Sequence, residues 1–317
     1  MPIPHLFFTG GTGFFGKALL RYWTATTVDR PKQVSILTRS PSGFLDRYPE
    51  FKTLDWVTFY EGDITRKDTF PDISCSHVLH AATDSTVGPN LPPIERYDQI
   101  VSGTRNVLDF SVQAGAKRFL LTSTGGVYGQ QPQEMDKIPE TYCGFPDPLR
   151  PQNAHSIAKR AAEHLCILYG HQFGIEPVIA RCFAFIGSDL PLDVHFAIGN
   201  FIRDATRGQD IIIQGDGTSV RSYLDQHDLS VWLTRLLQTE HPETAYNVGS
   251  ETAISIKDLA TLVRDLVHPA GSVQILGQQG NKAGTRYVPD TRLARETLGL
   301  SETVSLPDAI RRALPPC

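Results

Sequence analysis

Apolar and polar positions along this chain fall into an alternation of short apolar runs and longer amphipathic stretches. Leu6-Phe7-Phe8 is short enough for a buried strand, and Lys17-Ala18-Leu19-Leu20-Arg21-Tyr22 beyond it reads as a helix. Gln33 to Thr38 alternates and then ends in the polar pair Arg39-Ser40, which predicts a second strand. Trp56 to Tyr60, His77 to Ala82 and Arg118 to Thr122 predict the third, fourth and fifth. An amphipathic helix is expected from Ile94 to Ala114 and a second from Asn153 to Glu163, after a proline-broken loop from Gln130 to Arg150. Glu176 to Arg181 reads as a sixth strand. Beyond it the rhythm breaks into irregular pieces, Gly187 to Gly199 and Gln214 to Gly217, until Tyr246-Asn247-Val248-Gly249 reads as a strand returning to the sheet. Strands alternating with helices imply an α/β fold with a doubly wound parallel sheet, its ligands gathered at the carboxyl ends of the strands. The expected division is a first domain over 1–180, rejoined by a segment around 219–249, and a smaller C-terminal lobe over 181–317.

The first strand and helix are joined by Thr9-Gly10-Gly11-Thr12-Gly13-Phe14-Phe15-Gly16. Gly10 permits a sharp turn, Gly13 removes a side chain that would block a pyrophosphate, and Gly16 lets the helix pack close to the strand. The unpaired amides at the helix start then face the phosphates. Ordinary tight turns also use glycine, but the flanking strand and helix favour a dinucleotide site built from Gly10, Gly13, Phe14, Phe15 and Gly16. Arg39 and Ser40 stand where an acidic residue would hold ribose hydroxyls; they suit a 2′-phosphate and favour NADP over NAD. Asp63, followed by Ile64, lies where a side chain meets the adenine, and the small Ala81 and Ala82 admit a nicotinamide ribose.

Composition narrows the partners. The 317 residues carry a formal net charge of −4 without a run of Lys and Arg, so nucleic acid is a poor partner. The first strand begins too near Met1 for a cleavable leader and no apolar run is long enough to span a bilayer, which points to a cytoplasmic protein off the membrane. Cys75, Cys143, Cys166, Cys182 and Cys317 are scattered without CxxC spacing, as free thiols in a reducing compartment would be. His80, His195 and His227 lack ligand spacing, so no metal site is expected.

Taken in order, several motifs resemble the extended short-chain dehydrogenase/reductase superfamily, in its nucleotide-sugar epimerase/dehydratase branch. They are the glycine turn, Gly62-Asp63, His80-Ala81-Ala82, Gly103-Thr104-Arg105-Asn106-Val107, Val127-Tyr128-Gly129, the helix bearing Lys159, Gly215-Asp216-Gly217 with Arg221, Asp228, and Arg286-Tyr287 before Asp290. The resemblance implies a Rossmann domain, a C-terminal lobe that holds a nucleoside-diphosphate sugar, and homodimers formed through helices flanking the site. It also implies hydride transfer between a sugar carbon and NAD or NADP. Thr124 matches the hydroxyl that holds the sugar oxygen, and Lys159 the lysine that grips the nicotinamide ribose. The bland alternatives are a strand-end hydroxyl bonded to local backbone for Thr124 and a solvated helix face for Lys159.

The chain departs from the family pattern in three respects. His155 stands where the family has a tyrosine, four residues before Lys159. Imidazole can move protons near neutrality, and like charge from Lys159 and an oxidised nicotinamide should depress its pKa and keep it neutral. Gly125 and Gly126 replace the Asp-Glu pair of sugar 4,6-dehydratases, which disfavours dehydration and leaves C4 epimerisation, keto-sugar reduction or oxidation. Ala184 replaces an asparagine that touches the substrate phosphate, so phosphate binding is expected to rest on Asn200, Arg221 and Arg286. Asp228 reads as structural. The expectation is an NAD(P)-dependent enzyme acting on a nucleoside-diphosphate hexose; the rival is a dinucleotide-binding sensor or scaffold whose catalysis is impaired by His155.

Overall fold

The computed structural model describes residues 3–83, 88–194, 196–278 and 284–315; His195 and Cys317 lie outside them. In chain order the elements begin with β1 (His5–Thr9), α1 (Phe14–Ala25), β2 (Gln33–Thr38), α2 (Pro41–Arg47), β3 (Val57–Glu61) and β4 (His77–His80). They continue with α3 (Pro93–Gln113), β5 (Arg118–Thr124), α4 (Ala154–Phe173) and β6 (Glu176–Cys182). Next come β7 (Phe185–Ile186), α5 (Ala197–Thr206), β8 (Ile211–Ile213), β9 (Val220–Arg221), β10 (Leu224–Asp225), α6 (Gln226–Leu237) and β11 (Thr244–Val248). The last are β12 (Ile254–Ser255), α7 (Ile256–Val267), β13 (Val273–Ile275), β14 (Arg286–Tyr287), α8 (Arg292–Leu298) and α9 (Leu306–Arg312).

Seven strands form one sheet in the order β11-β6-β5-β4-β1-β2-β3. β1 pairs in parallel with both β2 and β4, and the chain winds outward from β1 in both directions. The order reverses between β1 and β4, which opens the crevice where such sheets bind ligands. Leu6, Phe7, Phe8, Val78, Leu79, Phe119, Leu120 and Leu121 are buried from both sides, as strands covered on both faces require. On one face Phe7, Phe119 and Leu121 meet Val107 and Leu108 of α3 and Ala158 and Ala162 of α4. Each large side chain buried in this way contributes about 1.5–3 kcal/mol.

Two helices of this layer set the rim of the crevice. α3 starts with Pro at its first position, where the missing N–H costs nothing. α4 follows a short turn at Pro151–Asn153 and ends on Gly174, whose φ of 74° closes the helix in the left-handed region. Because helices run back against parallel strands, the first turns of α3 and α4 both lie at the carboxyl edge of the sheet.

The chain divides into two compact units: Met1–Val127 with Phe145–Arg181 and Ser230–Tyr246, and Tyr128–Gly144 with Cys182–Leu229 and Asn247–Cys317. The stretch 128–144 therefore groups with the second unit, whereas the sequence reading kept it in the first. A β-bridge from Ile138 to Pro289 and a hydrogen bond from Val288 to Gln131 hold it there. The segment rejoining the first unit is narrower than 219–249. Within the second unit, β9 lies between antiparallel β12 and parallel β14, and β8 pairs with β13.

Candidate active site

The glycine turn has the shape a dinucleotide phosphate needs. Gly10 sits at φ +83°, and a Cβ there would stand 2.5 Å from the Ala81 carbonyl carbon and oxygen. A Cβ on Gly16 would stand 2.0 Å from the Gly11 oxygen, so α1 packs on the turn only because that position is bare. At Gly13 a Cβ would meet nothing nearer than the Gly10 oxygen at 3.4 Å, which leaves the space above the helix start open. Gly13 caps α1 without a side-chain hydrogen bond, and the first turn carries no acid. The positive end of the helix is thus uncompensated by protein charge, and the residues present fit a bound pyrophosphate. Phe14 and Phe15 follow in the first turn with ring centroids 5.8 Å apart.

The other residues expected to hold the dinucleotide are placed as follows. Ala81 follows β4, its amide donating to the Thr9 carbonyl at 2.9 Å, and Ala82 comes next, beside Gly10. Arg39 is exposed at the end of β2, and the Ser40 hydroxyl accepts from the Gly43 amide as the cap of α2. Asp63 folds into a local turn, one carboxylate oxygen accepting from both the amide and the hydroxyl of Thr65 at 2.8 Å. Ile64 packs against Gly103 of α3, where a Cβ would come within 2.6 Å of it, and its carbonyl accepts from Asn106.

Two of the residues expected to be catalytic lie at the end of β5. Lys159 is 3% exposed and its Nζ donates to the Thr122 carbonyl at 2.8 Å, so it is not a solvated side chain. Two residues on, the Thr124 hydroxyl accepts from the Gly126 amide at 3.1 Å. A Cβ on Gly126 would lie 2.5 Å from the Ser156 hydroxyl and 3.5 Å from that of Thr124. Ser156, beside His155 on α4, therefore fills the space next to Gly126.

His155 is pulled from 6.5 to about 3, first by burial and then by the Lys159 and Arg96 charges. It stays neutral, as expected from the sequence, and burial contributes more to this than the like charge of Lys159. Among the described residues its ring has no hydrogen-bond partner.

Several supporting contacts were not anticipated from sequence. Ser123 donates to Glu163 at 2.5 Å, and Arg181 grips the same carboxylate through Nε and Nη2 at 2.8–3.3 Å. Glu163 is one helical turn after Lys159, so this triad fixes α4 against β5 and β6. His80, 2% exposed, lies between the hydroxyls of Thr9 at 2.7 Å and Thr104 at 3.1 Å, and is held neutral by burial and by Lys159. Only the four-residue helical spacing of Glu163 hinted at any of these in the sequence.

The second unit carries the predicted phosphate residues on separate supports. Arg221 of β9 donates to the carbonyls of Val220 and Thr285 and to the Thr285 hydroxyl. Arg286 of β14 donates to the Asp136 carbonyl at 2.7 Å and pairs in register with Val220, one position from Arg221. The Asn200 side chain of α5 accepts from Arg203 at 3.0 Å, and no bond joins it to either arginine. Asp228 accepts from the Thr303 and Val304 amides and the Thr303 hydroxyl, all within this unit, which is a structural role.

Among the described residues no helix is long and apolar enough to cross a membrane, and no cluster of His, Cys, Asp or Glu suits a metal ion. Cys75, Cys143, Cys166 and Cys182 are free thiols.

Comparison with known proteins gives a consistent result. A family model described as NAD dependent epimerase/dehydratase family matches residues 6–249. UDP-glucuronic acid decarboxylase 5 of Arabidopsis thaliana is 28% identical over 308 residues, covering 95% of this chain and 86% of that protein. UDP-glucuronic acid decarboxylase 1 of Xenopus tropicalis is 27% identical over 314 residues, covering 96% and 70%. The structure of UDP-glucose 4-epimerase from Thermotoga maritima, solved with UDP-glucose, matches with a TM-score of 0.80 at 22% identity, over 98% of this chain and 97% of that one. UDP-glucuronic acid 4-epimerase from Bacillus cereus, in complex with UDP-glucuronic acid and NAD, matches with a TM-score of 0.80 at 21% identity over the same shares. At these identities the structural matches establish the fold.

Proposed function

The chain belongs to the NAD dependent epimerase/dehydratase family, and we propose that it epimerises a nucleoside-diphosphate hexose at C4 with NAD or NADP. The observation that carries this reading is the buried Lys159, fixed on the Thr122 carbonyl beside Thr124, with a neutral His155 one turn earlier on the same helix. A bound nicotinamide dinucleotide supplies the acceptor and donor for the C4 hydride. Lys159 keeps a fixed positive charge where the nicotinamide ribose is expected. Thr124 donates its hydroxyl hydrogen to the sugar O4, and a His155 ring nitrogen takes the O4 proton as the C4 hydride leaves. With a pKa near 3 the ring holds that proton briefly and returns it to O4 when the hydride comes back on the opposite face.

This proton balance bears on two of the three reactions left open by the sequence, epimerisation and keto-sugar reduction. Epimerisation starts from neutral histidine and consumes no proton overall. Net reduction of a keto-sugar needs His155 charged at the start, which burial and two neighbouring cations oppose. Gly125 and Gly126 offer no acid or base for 4,6-dehydration. In the second unit, Arg221 and Arg286 on adjacent strands are proposed to receive the diphosphate, with Asn200 of α5 as a further binding residue. Exposed Arg39 favours NADP; Ser40, engaged as a helix cap, adds less to that preference than the sequence suggested.

The depressed pKa of His155 also supports the rival reading, a dinucleotide-binding sensor or scaffold with impaired catalysis. Incubation with UDP- and dTDP-hexoses and either cofactor, followed by anomeric-proton NMR, distinguishes them. Interconversion of C4 epimers is expected, and its absence from a cofactor-loaded protein favours the sensor.

A further inference from the structure

A charge without a counter-charge stands beside His155. Arg96 lies in the first turn of α3, half-buried, and its Nε is shielded from solvent with no hydrogen-bond partner. No ion pair or hydrogen bond engages its side chain among the described residues. Glu95 is adjacent in sequence, but neighbouring helical residues do not face one another.

The position of Arg96 follows from the helix. Arg96, Ile100, Gly103, Thr104 and Val107 recur at spacings of three and four and so share one face of α3. Gly103 and Thr104 on that face touch Ile64 and His80, which mark the carboxyl ends of β3 and β4. Arg96 stands two turns nearer the helix start, at the rim of the crevice. The first turns of α3 and α4 face each other there, with Pro93, Ile94 and Tyr97 opposite Ala154 and Ile157 around a shallow groove. The Arg96 charge reaches the His155 ring in the first turn of α4.

A partly desolvated guanidinium without an anion is costly to hold, and the shortfall is made good when a ligand brings the anion. The cofactor pyrophosphate is expected at the start of α1, and the substrate diphosphate in the second unit. The anion left for Arg96 is therefore a substituent on the reacting sugar. C6 is two bonds from C4, and a carboxylate there matches the fork of a guanidinium. From this geometry we propose that Arg96 is a specificity-determining residue that binds the C6 carboxylate of a nucleoside-diphosphate hexuronic acid, making a uronic acid the preferred substrate over the neutral hexose. This assignment rests on the nucleotide-sugar reading above.

The test is calorimetric titration of the NAD⁺-loaded full chain with glucuronic acid and glucose as their UDP and dTDP derivatives, and with UDP and dTDP alone. The unaltered protein is expected to bind the uronic acid about tenfold or more tightly than the hexose, the worth of a charge-assisted hydrogen bond. Arg96→Gln should remove that preference while leaving hexose, nucleotide and NAD⁺ affinities unchanged, and Arg96→Lys should keep part of it. Equal weakening of every nucleotide ligand by Arg96→Gln would assign Arg96 to the diphosphate and overturn the proposal. So would equal affinity for acid and hexose in the unaltered protein. Binding of NAD⁺ with no binding of any nucleotide or nucleotide sugar would overturn the nucleotide-sugar reading itself.

Discussion

Lys159 and Thr122 are joined by a 2.8 Å hydrogen bond from Nζ to the carbonyl oxygen, which ties the second turn of α4 to the end of β5. The bond directs the ammonium group toward the strand end that carries Thr124. Lys159→Ala removes both the charge and this tie. The expected result is a loss of about a thousandfold in kcat with weaker cofactor binding, in a protein that remains folded. Steady-state kinetics and cofactor titration measure the two effects separately.

The pH profile tests His155. Because its pKa is held near 3, the ring is neutral from pH 5 to pH 9, where an ordinary histidine would titrate. The profile of kcat/KM is expected to show no imidazole inflection between about pH 6 and 7. His155→Ala should lower kcat by about 10²–10⁴-fold. Turnover unchanged in this variant would remove His155 from the proton path.

His80 makes the fold acid-sensitive. Its folded pKa is depressed to about 3 by burial and then by Lys159, so below pH 6.5 the unfolded chain binds a proton that the native state does not. Its contribution is fully present above pH 6.5 and is lost as the pH falls toward 3. Between pH 6.5 and 5 this one residue should lower stability by roughly 2 kcal/mol. Urea unfolding at the two pH values gives the slope, and His80→Asn should flatten it. His77, held near 4 by burial and Arg118, adds to the same trend.

The Ser123–Glu163–Arg181 triad predicts a structural defect with a functional echo. Glu163 and Arg181 side chains are only 10% and 19% exposed. Arg181→Ala leaves a nearly buried carboxylate unpaired and should cost about 3–5 kcal/mol in urea unfolding. Glu163→Gln with Arg181→Met, which removes both charges, should cost less than Arg181→Ala alone. Equal losses would show that the ion pair does not set the stability of this region.

Much of the fold was legible because its signals are local. The runs at Leu6–Phe8, Val34–Leu37 and Phe119–Leu121 are strands buried on both faces, and Gly10 to Gly16 is written for a turn that admits no Cβ at two positions. The strand at 244–248 was legible from its own pattern, although it joins β6 from more than 60 residues away. Other features depend on partners distant in sequence. Glu163 meets Ser123 across 40 residues, and His80 meets Thr9 across 71, spacings that no periodicity reports. The placement of 128–144 with the second unit likewise rests on bonds to residues near 288. Arg96 was invisible for a different reason: an arginine in a first helical turn normally faces water, and only the packing of α3 on α4 shows that part of it does not.

The proposed reaction moves a hydride between C4 of a nucleotide sugar and a nicotinamide dinucleotide whose phosphates are expected on the glycine turn. A stopped-flow experiment tests it most directly, mixing NAD⁺- or NADP⁺-loaded protein with UDP- and dTDP-linked glucose and glucuronic acid while following reduced-nicotinamide absorbance. A transient rise that decays as the C4 epimer forms, and that is absent in Lys159→Ala, is the predicted result. A flat trace from a protein shown by titration to hold both cofactor and sugar nucleotide would contradict it.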